Sequence, residues 1–136
     1  TASGMKLSMM IILGLAGAEG SERHALATAK AINIIKPTHL SALCLMLYRG
    51  SELLEQYEAG KFNPLSPAGL MRELKLIIEN IDLPADRHCL FRSNHVSNYV
   101  QLAATLPHDK QRLLRDIDYS IAQLSKLKSW DVYNYN

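Results

Sequence analysis

The sequence has few cysteines, few aromatic residues and little net charge. Its 136 residues include two cysteines, one tryptophan and a formal net charge of +2 at pH 7. Two cysteines are too few for the disulfide framework of a small secreted domain. Cys44 and Cys89 lie far apart, and neither belongs to a C-x-x-C pattern of the kind that holds zinc or an iron–sulfur cluster. We therefore expect both to be buried structural thiols.

Nucleic-acid and membrane partners are not indicated either. A phosphate-binding surface needs a clustered excess of Lys and Arg, whereas the basic residues here are interspersed with acids along predicted helices. The apolar segment 9–15 is too short to span a bilayer and lacks the cleavage site of a signal peptide. The sequence thus predicts a cytoplasmic protein.

What the sequence does contain is typical of one soluble α/β domain, with 48% hydrophobic and 21% charged residues. Residues 7–13 form an apolar run that predicts a strand buried on both faces, inside a parallel sheet covered by helices. A helix is predicted over residues 22–35, with Ser21 as its N-cap, and Pro37 ends it. Residues 40–47 then predict a second buried strand. This strand–helix–strand order predicts a parallel βαβ unit.

The remaining elements are mainly helical. Ser66-Pro67 is a strong helix start, because a capping serine precedes a proline at the first helical position. The predicted elements are a short helix from Gly50-Ser51 to about Gly60, a helix from Ser66-Pro67 to about residue 82, a strand over His88 to Arg92, a small helix over residues 95–104, and a long terminal helix opened by Pro107-His108-Asp109.

Ligands of parallel α/β sheets bind at the carboxyl ends of the strands. The segment Gly14 to Gly20 follows the first strand and has three glycines, which permit close backbone approach to a ligand. Its spacing matches neither the dinucleotide fingerprint nor the P-loop. The alternative interpretation is a tight turn between strand and helix. Tyr48 to Ser51 occupies the corresponding place after the second strand.

Polar side chains are concentrated after the third strand. They can hold a polar substrate through charge-assisted and amide hydrogen bonds, and His95 could carry a proton near neutral pH. Alternatively, Ser93 or Asn94 caps the next helix and the others face water. The cluster comprises Arg92, Ser93, Asn94, His95, Ser97, Asn98 and Tyr99.

Three segments of the chain, in the right order, resemble the C-terminal part of radical-SAM iron–sulfur oxidoreductases. Residues 10–17 are similar to the I-x-G-L-P-G strand and turn of that family. Residues 36–60 resemble the last barrel strand and the P-G-T-P-L segment after it, and residues 91–99 resemble the tail of one subgroup. Ala16, Arg49 and Glu52 stand where the family usually has proline.

The resemblance implies a partial (β/α)6 TIM-like barrel. Residues 1–62 would be its last two βα units, and residues 63–136 a mainly helical C-terminal extension packed on them as one structural unit. A C-x-x-x-C-x-x-C loop holds the family's [4Fe–4S] cluster, which reduces S-adenosylmethionine to give a 5′-deoxyadenosyl radical. This chain has no such loop. It would thus be a fragment that is inactive without the N-terminal half of the barrel.

The family's binding residues carry over by position. Ile12 would pack on the adenine of S-adenosylmethionine, and Gly14 would leave room beside it. The backbone of Leu45, Met46 and Leu47 would meet the adenine edge. Residues on the side of a small-molecule substrate would be Arg92, Asn94, His95 and Asn98.

A different function remains open from the residues themselves. A self-contained α/β module could bind a small polar ligand or a partner through the polar cluster at residues 92–98. A half-barrel, by contrast, leaves sheet edges unpaired, and an exposed edge favours self-association. We therefore expect the chain to associate with itself through its first strand.

Overall fold

A computed structural model describes residues 6–45, 51–93 and 101–125, which fold around a four-stranded sheet. The elements alternate between strands and helices along most of the chain. They are β1 (Ser8–Leu13), α1 (Ser21–Ile35), β2 (His39–Cys44), α2 (Glu52–Glu58), α3 (Pro67–Glu79), β3 (Cys89–Ser93), β4 (Leu102–Leu106) and α4 (Lys110–Leu124).

The strands lie in sequence order in the sheet, β1-β2-β3-β4. β1 pairs in parallel with β2 and β2 with β3, whereas β4 is antiparallel to β3. The α/β class and the parallel βαβ unit predicted from the sequence are therefore confirmed. The segments before and after residue 62 contribute to the same sheet, because β1 and β2 precede this residue and β3 and β4 follow it.

The small helix predicted over residues 95–104 is wrong at its C-terminal end, where residues 102–104 belong to β4. The physical reason is that buried side chains recur at every second residue, as they do along a strand with one buried face. Leu102, Ala104 and Leu106 are buried, while Ala103 between them is exposed. Residues 94–100 of the predicted helix lie outside the described part.

One hydrophobic core lies between the sheet and the three longer helices. Alternate strand residues point into it, and the apolar stripes of α1, α3 and α4 close it. Its members include Leu13, Leu40, Phe91 and Leu106 from the strands, Ala29 and Ile32 from α1, Leu74 and Ile77 from α3, and Leu113 and Ile117 from α4.

The opposite face of the sheet is largely uncovered by the described chain. Met10 and Ile12 of β1 are 66% and 38% exposed, and Leu43 and Leu90 are half-buried. The expectation that β1 is buried on both faces is therefore wrong. The physical reason is that α1, α3 and α4 all pack against the same face.

Of the caps predicted at Ser21 and Ser66, the one at Ser66 is confirmed, and Ser51 caps α2 in the same way. The Oγ of Ser66 accepts a hydrogen bond from the Gly69 N–H at 3.0 Å, and the Oγ of Ser51 accepts one from the Leu54 N–H at 3.1 Å. The predicted cap at Ser21 is wrong. α1 has Gly20 at its N-cap, and no side chain caps it. Within the described residues, no helix is long and apolar enough to cross a membrane.

The outer edge of β4 is closed by side chains of the turn and helix that follow. The Asp109 carboxylate accepts a hydrogen bond from the Thr105 N–H at 2.9 Å, and the Asp109 N–H donates to the Thr105 carbonyl at 2.8 Å. The Arg112 guanidinium donates to the Ala103 carbonyl at 2.8 Å and lies 3.6 Å from the Asp109 carboxylate. These contacts connect β4 to α4.

We predict that Asp109 makes the fold sensitive to acid. The Thr105 N–H bond, with Arg112 nearby, lowers the pKa of Asp109 below its ordinary value of 3.8. A lowered pKa contributes stability at pH values above the unfolded-state pKa, and this contribution is lost as the pH falls through the folded-state pKa. Asp109→Asn should therefore lower the free energy of unfolding at pH 7 and flatten its loss below about pH 4, measured by urea denaturation over a pH series.

The matched control is Asp86→Asn, because the Asp86 side chain lies exposed in a turn and makes no hydrogen bond within the described chain. If both substitutions changed the pH dependence of the free energy of unfolding equally, the role of Asp109 would be contradicted.

Candidate functional site at the carboxyl ends of the parallel strands

The carboxyl ends of β1 and β2 lie side by side. The Leu45 N–H, directly after β2, donates to the Leu13 carbonyl at the end of β1 at 2.9 Å. Gly14 and Leu45 are thus brought to the same edge of the sheet. Because ligands of parallel sheets bind at this edge, it is the candidate functional site.

Three N–H groups of the glycine-rich turn at residues 14–20 donate hydrogen bonds to other groups of the protein. The Gly17 N–H donates to the Gly14 carbonyl at 3.0 Å, and the Ala18 N–H donates to the Asn63 carbonyl at 2.7 Å. The Gly14 N–H donates to a carboxylate oxygen of Glu73 at 2.8 Å. Three donors that could have bound a ligand's oxygens are therefore occupied, which favours the tight-turn interpretation of this segment.

Glycine is required at position 17 for two reasons. Its φ of +70° lies in the left-handed region. A Cβ there would also lie 3.0 Å from the Asn63 carbonyl oxygen and 3.2 Å from the Phe62 ring. The turn is consequently packed against the segment that follows α2.

A buried carboxylate holds this turn in place. Glu73 of α3 is 2% exposed, and its two oxygens accept hydrogen bonds from the Gly14 N–H at 2.8 Å and the Ser21 hydroxyl at 2.9 Å. One side chain thereby connects the end of β1, the start of α1 and the middle of α3. A carboxylate at this depth is tolerated because charge-assisted hydrogen bonds offset the loss of hydration.

Glu73 is not among the site residues predicted from the sequence, although a signal for it is present. Glu73 lies three residues after Leu70 and four before Ile77, on the apolar stripe of α3. A charged residue on such a stripe either disrupts packing or binds a buried polar group. The second explanation applies here.

Both cysteines are buried, as expected from the sequence. Burial raises the pKa of the Cys44 thiol to about 12, and the negative charge of Glu73 adds to the effect. Burial alone raises the pKa of the Cys89 thiol to about 11. Because the thiolate is the reactive form, neither side chain is activated as a nucleophile.

The uncovered face of the sheet carries a single positive charge. Met10, Ser41 and Arg92 lie in register across β1, β2 and β3, so their side chains share this face. Arg92 is exposed, and among the described residues its guanidinium donates to the Phe91 carbonyl alone, at 2.7 Å. The four described strands contain no acidic residue. Arg92 is therefore available to an anionic group that reaches this face.

The structure brings together some of the predicted site residues. Ile12 and Arg92 share the uncovered face, and Leu43 lies beside Ile12 in register. Leu45 instead packs in a small apolar cluster with Leu54 of α2. Five predicted residues lie outside the described part of the chain, namely Met46, Leu47, Asn94, His95 and Asn98.

The described residues fit the implied cofactors only in part. Ile12 and Leu43 offer an apolar surface on which an adenine ring could pack, whereas the Gly14 N–H is already bonded to Glu73. Across residues 6–45, 51–93 and 101–125, no three His, Cys, Asp or Glu side chains are grouped as metal ligands. These segments therefore do not fit an iron–sulfur cluster.

Comparison of the chain with protein-family models, curated proteins and solved structures found no match. The geometry of the described sheet is consequently the observation that bears on its function.

We predict that Glu73 stabilises the fold through its two hydrogen bonds. Glu73→Ala should lower the free energy of unfolding by about 3 kcal/mol, because it leaves the buried Gly14 N–H without an acceptor. Glu73→Gln keeps one acceptor oxygen and should cost about 1 to 2 kcal/mol. Urea denaturation measures both.

Glu79→Gln is the matched control, because Glu79 lies on the exposed side of the same helix. An equal loss of stability in Glu79→Gln and Glu73→Gln would show that the buried contacts contribute nothing.

We predict that both native thiols react slowly with an aromatic disulfide reagent. With a pKa of about 12, the Cys44 thiol is ionised at pH 8 in only about one molecule in ten thousand. Absorbance of the released thiol should rise quickly in urea and slowly in its absence. Fast labelling of Cys44 in a Cys89→Ala variant under native conditions would contradict this burial.

Proposed function

We propose that this chain forms the C-terminal βα units of a partial (β/α)6 barrel in an oxidoreductase of the radical-SAM type. In this proposal the chain supplies one wall of the cofactor and substrate site. The ligands of the [4Fe–4S] cluster come from the N-terminal half of the barrel. The chain by itself is therefore inactive.

One observation carries the proposal. β1, β2 and β3 are parallel neighbours in sequence order, and α1, α3 and α4 all pack on one face. A doubly wound sheet reverses its strand order and has helices on both faces. A barrel keeps the order and places its helices outside. The uncovered face with Met10, Ile12 and Leu43 then corresponds to the interior of the barrel.

The end of the sheet supports a partial barrel over a closed one. The last strand, β4, is antiparallel, and its outer edge is occupied by contacts from Asp109 and Arg112. A closed (β/α)8 barrel would need another parallel strand at that position. The sheet accordingly ends at β4, while β1 remains available to a preceding strand.

In the complete barrel, S-adenosylmethionine and its cluster would supply a carbon radical that abstracts hydrogen from the substrate. The residues of this chain would exclude water and orient the bound molecules. Ile12 and Leu43 form an apolar surface, and Arg92 on the same face binds an anionic group of the substrate. Glu73 fixes the turn after β1 and thereby the position of this wall.

The test begins with the coding sequence upstream. The proposal expects an open reading frame that continues in phase through a C-x-x-x-C-x-x-C triplet. The longer protein, reconstituted without oxygen, should contain about four iron and four sulfide per chain. It should release 5′-deoxyadenosine when it is incubated with S-adenosylmethionine and a chemical reductant that supplies the electron to the cluster. A longer protein that binds no cluster refutes the proposal and favours a self-contained α/β module.

Within that longer protein, we predict that Ile12→Asp weakens S-adenosylmethionine binding. A carboxylate on the apolar wall would be desolvated against the adenine ring, so affinity measured by equilibrium dialysis should fall at least about tenfold. Tyr119→Asp is the control, because Tyr119 is an exposed side chain of α4. Unchanged affinity in Ile12→Asp would mean that β1 does not face the cofactor.

A further inference from the structure

The two outer edges of the described sheet differ in how they are protected. At β4, contacts from Arg112 and Asp109 occupy the outward Ala103 carbonyl and both outward backbone groups of Thr105. Pro107 follows directly. Natural sheets block edge pairing with charged side chains and proline of this kind.

The β1 edge lacks this protection. The Leu7 and Leu13 carbonyls accept hydrogen bonds from Thr38 and Leu45 on the β2 side. Because backbone groups alternate along a strand, those of Ser8, Met10 and Ile12 point away from β2. Within the described chain, only one of these groups has a partner. It is the Ile12 carbonyl, which lies 3.0 Å from the His24 imidazole.

Exposed apolar side chains are concentrated beside this edge. The described chain exposes eight large apolar side chains, and four of them lie on β1 or directly beside it. We call this surface the β1–α1 flank; it comprises Leu7, Met10, Ile12 and Leu15, together with Ile35 of α1. A groove of about 370 Å³ runs between β1 and the His24, Ala27, Thr28 and Ala31 face of α1.

We propose that the occupant of the β1–α1 flank is a second copy of this chain, bound by antiparallel pairing of β1 with β1 about a two-fold axis. An axis through Met10 places Met10 opposite Met10 and Ser8 opposite Ile12 of the second copy. All three outward residues of each strand then form hydrogen-bonded pairs. The Ile12 carbonyl keeps its contact with His24, since a carbonyl oxygen accepts two hydrogen bonds.

The spacing of the helices agrees with this pairing. Joined β1 strands lie about 4.8 Å apart. α1 crosses over from β1 to β2, so the two copies of α1 would lie about two strand spacings apart, or about 10 Å, the distance at which helices pack. Ala27, Thr28 and Ala31 are small enough for this approach.

A two-fold axis also runs the two copies of α1 in opposite directions, so their helix dipoles are antiparallel.

This dimer does not depend on the proposed function. In a complete barrel, a preceding strand would pair with β1 and exclude the second copy. The dimer therefore belongs to the 136-residue chain, whereas the cluster assay concerns the longer protein. A monomeric chain would therefore not contradict the proposed function, and a longer protein without a cluster would not contradict the dimer.

The first test is sedimentation velocity of this chain over a hundredfold range of concentration. We expect a dimer that dissociates on dilution. Met10→Lys places two like charges together at the axis and should raise the dimer dissociation constant at least about tenfold. Ala103→Lys is the matched control on the exposed face of β4 and should leave it unchanged. Circular dichroism confirms that each variant is folded.

The register is tested by disulfide cross-linking under mild oxidation. Paired residues at the axis have Cα atoms about 5.5 Å apart, a distance that a disulfide spans. Met10→Cys should therefore cross-link two copies, whereas Ala103→Cys should not. A monomer at all concentrations, or cross-linking through residue 103 in place of residue 10, overturns the proposal.

Discussion

The structure depends on the packing of all three longer helices against the same face of a mostly parallel sheet. Parallel strands normally have both faces buried, because crossover helices distribute over the two sides. Here only one side is filled, and it contains the core from Leu13 to Ile117. The apolar side chains of Met10, Ile12 and Leu43 on the other side are consequently left exposed or half-buried.

A side chain on the covered side also holds the candidate site in place. Glu73 reaches from α3 to the end of β1 and the start of α1, so the turn after β1 cannot shift without breaking a buried charge-assisted hydrogen bond. The same contact removes that turn's first N–H from any role in binding. Recognition of a ligand by the described chain therefore falls to the side chains of the uncovered face, where Arg92 carries the only charge contributed by the strands.

The sequence was informative where local chemistry decides the structure and uninformative where long-range pairing does. Ser66 could be identified as a cap because capping depends on a few neighbouring residues. Position 21 is also a serine, yet its hydroxyl donates to Glu73, which lies 52 residues away in the sequence. Met10 and Ile12 are as apolar as core residues, so hydrophobicity could not reveal that one face is uncovered. That Ile12 and Arg92 share this face depends on strand register, which the composition of the strands does not encode.

The difference between the two sheet edges connects the remaining observations. A sheet with two unprotected edges would favour non-specific aggregation, whereas in the described part of this chain Asp109 and Arg112 bond to the β4 edge and His24 alone bonds to the β1 edge. The two proposals both place a strand neighbour at the less protected β1 edge. The apolar β1–α1 flank and the small residues facing the groove agree, because a neighbouring strand brings its own covering helix. A preceding barrel strand and a second copy of β1 satisfy the same unpaired backbone groups, so only one of them can occupy the edge at a time.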